Sequence, residues 1–73
     1  MKKADFKIRD FVKIEVDYLK TNCNFTKDEE QYFNMKCRDA SDVEITFAMN
    51  ISERKVTELS QRVKRKILKV AVF

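Results

Sequence analysis

The sequence predicts an all-α fold: a compact four-helix domain whose last two helices form a helix-turn-helix. Three observations carry this. The 73 residues contain neither Gly nor Pro, and 38% are charged, a composition that suits close-packed helices with short connections. Helix-start signals recur at Thr26-x-x-Glu29, Ser41-x-x-Glu44 and Ser52; the first two are capping boxes, in which each side chain satisfies an orphan amide of the other residue. Apolar residues then repeat at three- and four-residue steps, which lines one face of a helix. A chain of this length makes one domain with a small core.

The elements follow in order. Residues 1–3 are a short basic start expected to fray. Residues 5–22 read as an N-terminal covering helix, with Ile8, Phe11, Val12, Val16, Leu19 and Cys23 at helical spacing and Phe6 and Tyr18 alongside. The alternation Lys13-Ile14-Glu15-Val16-Asp17 also fits a strand. Length and the lack of a hairpin partner favour the helix. Thr21 to Asn24 is a polar break. The first core helix, 26–38, is capped by Thr26, with Asp28, Glu29 and Glu30 in its first turn where the helix dipole favours anions. That trio reads as a helix-start charge cluster rather than a metal site. Tyr32, Phe33 and Cys37 form the buried stripe, with Met35 beside them. Asp39 ends the helix and can take the left-handed backbone.

Residues 41–49 form the scaffold helix, with Ala40 and Ile45 as a small hydrophobic staple. A tight turn at 49–51 follows. Asn50 suits it because Asn tolerates the left-handed region better than most residues with a Cβ. Ser52 caps the second helix of the pair, 52–69, with Ile51 and Val56 as its staple. Ile45, Met49, Ile51, Val56, Leu59, Val63 and Ile67 converge on one side.

The other face of helix 52–69 carries Arg54, Lys55, Thr57, Glu58, Gln61, Lys64 and Arg65. Residues 54–73 hold seven basic side chains and one acid, a surplus of six, whereas the rest of the chain is negative by two. The modest total of +4 therefore hides an uneven distribution. Such a helix is a phosphate-seeking surface. Lys/Arg-rich solvated helix faces are common, so charge alone decides nothing; the two capped helices with a short turn between them favour double-stranded DNA as the partner.

Other chemistries find little footing. There is no His, the usual neutral-pH acid–base group. No carboxylate pair sits in an evident pocket, and neither Cys23 nor Cys37 has an activating partner, so the chain does not read as an enzyme. The two thiols lack C-x-x-C spacing, which argues against zinc. They read as buried free cysteines in a reducing cytoplasm, with a disulfide between them as the alternative. No cofactor is implied. No signal peptide or membrane span is apparent.

Residues 25–68 carry a resemblance. Phe25-Thr26-x-x-Glu29-x-x-x-Phe33, then Ser41-Asp42-Val43-Glu44-Ile45-Thr46-x-x-Met49-Asn50-Ile51-Ser52-x-x-x-Val56 and a closing Arg62-Val63-Lys64-Arg65-Lys66-Ile67-Leu68 resemble the tetrahelical DNA-binding domain of LuxR/GerE response regulators. They equally resemble region 4 of sigma-70-type factors. The N-terminal half is similar to small stand-alone proteins of phages and mobile elements. The resemblance implies that the start of the recognition helix enters the major groove. Arg54, Lys55, Thr57, Glu58 and Gln61 would then contact bases, while Ser52, Lys64 and Arg65 would hold the DNA backbone.

Three departures stand out. Thr46 replaces the family's usual Ala at the contact between the two helices, and Asp39 replaces a usual Gly. No helix beyond the recognition helix is present to dimerise as in LuxR-type proteins; helix 5–22 or the 70–73 tail is the candidate replacement. The expected function is thus a sequence-specific transcriptional regulator. The alternative is a sigma-region-4-like module that docks on RNA polymerase or another regulator. A homodimer would supply the specificity that one recognition helix lacks.

Overall fold

A computed structural model describes residues 7–70. The expectations for residues 1–6 and 71–73, including Phe6 and most of the tail, lie outside the described residues. Every regular element among the described residues is helical: a 3-10 turn at Ile8–Asp10, then α1 (Lys13–Asn22), α2 (Lys27–Cys37), α3 (Asp42–Met49) and α4 (Glu53–Val70). The all-α, four-helix expectation holds, and no strand forms at residues 13–17.

The capping signals act as the sequence predicts. At α2, Thr26 Oγ1 accepts from the Glu29 amide at 3.2 Å, and Glu29 Oε1 accepts from the Thr26 amide at 3.0 Å. At α3, Ser41 and Glu44 exchange the same pair of bonds at 3.1 and 2.7 Å. Each reciprocal pair satisfies two amides that the helix itself leaves without acceptors. The ends are equally explicit. Asp39 and Asn50 take φ of 66° and 57°, and the following amides, Ala40 and Ile51, reach back to the Met35 and Thr46 carbonyls at 3.0 and 3.1 Å. This back-bond over five residues closes a helix whose next residue is left-handed. A third left-handed residue, Asn24 at φ 55°, turns the chain between α1 and α2.

The N-terminal covering helix expected over 5–22 is corrected. Phe11 and Val12 are extended, at ψ of 139° and 168°, and separate the 3-10 turn from α1. The Glu15 carboxylate accepts from the Val12 amide at 3.0 Å and starts α1 there. The two pieces have different neighbours. The 3-10 turn packs on α2, with Ile8 buried, whereas α1 packs on α4 through Leu19. One straight helix could not serve both directions, and helical spacing alone does not reveal a change of direction. Val12 and Ile14 point to solvent.

The core gathers Ile8, Leu19, Cys23, Tyr32, Phe33, Ile45, Val56, Leu59, Val63 and Ile67. α4 contributes four of these and packs on α2, α3 and α1. Phe25 and Phe33 meet at 5.1 Å between ring centroids with planes tilted by 39°, an arrangement that adds to simple area burial. Cys37, expected in the buried stripe of α2, is only half-buried, while Cys23 is buried; both are free thiols. Thr46, which stands where the family pattern prefers Ala, donates its hydroxyl to the Val43 carbonyl at 2.6 Å, so the hydroxyl is satisfied within its own helix.

Candidate nucleic-acid interface

The geometry of the site begins at the turn. Left-handed Asn50 ends α3, and Ser52 Oγ accepts from the Lys55 amide at 3.1 Å to start α4. Val56, Leu59, Val63 and Ile67 are then buried at steps of three, four and four. With 3.6 residues per turn, the side chains that must point away from that stripe are Arg54, Glu58, Gln61 and Arg65, which fall within roughly 60° of arc. All four are exposed. They form a ridge along a helix about 27 Å long at 1.5 Å per residue.

Each expected contact residue can now be placed. Arg54, Glu58, Gln61 and Arg65 share the ridge, Thr57 is exposed beside it, and Ser52 is exposed at the helix start. Lys55 is half-buried on one flank. Lys64 is half-buried on the other and faces a cavity instead of the ridge. Arg62 and Lys69 are exposed next to the ridge. Lys66 is committed elsewhere: its ammonium binds the Glu29 carboxylate and donates to the Asn24 carbonyl at 3.1 Å. The basic surplus of this helix is therefore divided. Two arginines crown the ridge, and one lysine is spent holding the fold together.

The Glu29–Lys66 pair is the main electrostatic feature of the interior. Glu29 is 2% exposed. Burial raises the pKa of its carboxyl, but the Lys66 hydrogen bond, the Thr26 amide and the charges of Lys66 and Arg62 outweigh that, and the group titrates below the ordinary range. At the surface, Arg9 donates to Asp39 at 2.8 Å, and that contact raises the guanidinium's pKa. Both pairs join residues thirty or more positions apart. Sequence spacing gives no sign of such partners, although the capping role of Glu29 was legible.

Two further features escaped the sequence reading. A cavity of about 300 Å³ opens between the 3-10 turn, α2 and α4, with Lys7, Arg9, Lys36 and Lys64 on its walls. On α3, Val43 and Phe47 are 55% and 82% exposed, one helical turn apart on the same side. The signal for the second was present: neither residue belongs to the apolar set that converges with Ile45.

Among the described residues no group of His, Cys, Asp and Glu is arranged to hold a metal ion, and no helix is long and apolar enough to cross a membrane. Comparison with protein-family models, with curated proteins and with solved structures finds no match to this chain.

Proposed function

We propose that this chain binds double-stranded DNA as a sequence-specific transcriptional regulator, acts in the cytoplasm, and lays α4 in the major groove in the manner of LuxR/GerE-type or sigma-70 region 4-like domains. The observation that carries the reading is the exposed line Arg54, Glu58, Gln61 and Arg65 on a helix entered through a tight left-handed turn. Arg and Gln make paired hydrogen bonds to guanine and adenine edges, and Glu accepts from cytosine. Thr57 and half-buried Lys55 join them at the start of the helix. Ser52 and Arg65 hold phosphates, and Lys64 reaches the backbone only at the edge of the footprint. One recognition helix reads few base pairs, so a second copy of the chain or RNA polymerase supplies the remaining specificity.

A second reading, docking on RNA polymerase or another regulator, is favoured by Phe47 and Val43. An aromatic ring left 82% exposed on the short helix beside the ridge is a contact point for an apolar partner. The two readings are compatible if DNA and protein meet α4 and α3 respectively.

The test is a fluorescence-anisotropy titration of labelled duplex DNA, selected from a random pool, at two salt concentrations. The DNA reading predicts affinity that falls steeply with salt and a preference for the selected sequence over random duplex. Arg54→Ala removes discrimination worth on the order of 1–3 kcal/mol at one base pair. Salt-independent or undetectable binding, with a partner still captured through Phe47, would leave the protein-docking reading in its place.

A further inference from the structure

The cavity between the 3-10 turn, α2 and α4 lies on the flank of α4, away from the ridge, and of its lining the DNA reading uses Lys64 alone. Six of its side chains carry the argument: Lys7, Arg9, Tyr32, Lys36, Ser60 and Lys64. Its two acids, Asp39 and Asp42, are already engaged. Asp39 accepts from Arg9 at 2.8 Å and Asp42 from Lys36 at 3.2 Å. Lys7 and Lys64 have no ion-pair partner among the described residues. Four cations against two acids leave a surplus of two charges, one on each of these lysines.

Tyr32 is the second, independent observation. It is 1% exposed, yet its hydroxyl has no hydrogen-bond partner among the described residues. No sealed side-chain oxygen there lacks a partner, so this hydroxyl is not fully sealed, and Tyr32 lines the cavity. A buried phenol normally finds a partner. Ser60, on α4, also lines the cavity, and its hydroxyl is likewise unbonded among the described residues. Two lysines and two hydroxyl-bearing side chains thus line a space at the small end of the range for ligand pockets.

We propose that this cavity binds the dianionic terminal phosphate of a small phosphorylated molecule, with Lys7 and Lys64 neutralising its two charges and the Tyr32 and Ser60 hydroxyls donating to its oxygens. A phosphomonoester carries close to two charges at neutral pH and presents three strong acceptor oxygens, matching the surplus and the free donors. A backbone phosphodiester carries only one charge and lacks one of those oxygens.

The experiment is a backbone amide NMR titration of the full chain with inorganic phosphate at pH 7.5, against sodium chloride at matched ionic strength. A second arm uses dimethyl phosphate, which stands for the diester of a DNA backbone. The proposal predicts saturable shifts at residues 7–9, 32, 36, 60 and 64 with phosphate, and binding at least tenfold weaker with dimethyl phosphate. Tyr32→Phe and Lys64→Gln should each weaken phosphate at least fivefold, and Arg54→Gln, on the ridge, should not change it. Lys64→Gln is a partly exposed change and keeps the test decisive if Tyr32→Phe perturbs folding. Linear, unsaturated shifts would overturn the proposal, as would equal affinity for the two probes or phosphate binding indifferent to both cavity variants.

Discussion

Lys66→Ala breaks the ion pair that ties α4 to the start of α2. The substitution leaves Glu29 2% exposed, with the Thr26 amide at 3.0 Å as its remaining hydrogen-bond donor. Breaking a fully buried ion pair by removing one partner destabilises by about 3–5 kcal/mol. Here the Lys66 side chain is 32% exposed, so water screens part of the interaction and about 2–3 kcal/mol is expected. At about 4–8 °C per kcal/mol for a chain of this size, the melting temperature falls by roughly 8–24 °C. The assay is urea denaturation followed by circular dichroism at 222 nm. The pH dependence supplies a second readout. Because the folded carboxyl titrates below its unfolded value, the pair stabilises fully above the unfolded glutamate pKa of about 4.3, and that stability is lost as pH falls through the lower folded value. In Lys66→Ala, burial is no longer opposed by the ammonium, so acid unfolding starts at a higher pH. Adding Glu29→Gln should recover part of the loss, since Gln keeps an acceptor for Thr26 without a buried charge. A loss below about 0.5 kcal/mol, as for an ordinary surface pair, would refute the reasoning.

The remaining predictions concern the turn, the caps and the thiols. Asn50→Ala should destabilise by about 1 kcal/mol, because a Cβ without a polar head disfavours φ of 57°, while Asn50→Gly should not destabilise; paired urea melts decide between them. Ser41→Ala removes the acceptor for the Glu44 amide and should lower stability by about 1 kcal/mol in the same assay. Burial raises the pKa of both thiols, with Lys66 opposing it at Cys23 and Lys20 at Cys37, so both are weak nucleophiles at neutral pH. Half-buried Cys37 should react with a thiol reagent before buried Cys23, whose modification should wait for unfolding; equal rates in the native protein would contradict the packing.

Much of the fold was legible because its signals are local. Thr26, Ser41 and Ser52 announce their helices within three residues, and Asp39 and Asn50 mark the helix ends because they tolerate the left-handed backbone better than most residues with a Cβ. The stripe Val56, Leu59, Val63 and Ile67 is periodic, and the ridge follows as its complement. What was not legible depends on partners distant in sequence. The break at Phe11 and Val12 exists because Ile8 and Leu19 serve different neighbouring helices. Cys37 fits the helical period of Tyr32 and Phe33 but lies too near the end of α2 to be fully covered. Lys66 and Lys64 look like two more cations of a basic helix. Only the packing of α2 beside α4 gives one of them to Glu29 and turns the other toward a cavity.

The claim at the centre of this account is that the Arg54 to Arg65 ridge is the surface that meets DNA. Its most direct test is the map of backbone amide shifts caused by a selected duplex. Changes should concentrate at the Asn50–Ser52 turn and at residues 54, 57, 58, 61 and 65, and grow weaker with salt. Shifts centred on Val43 and Phe47, or scattered without preference for α4, would contradict it.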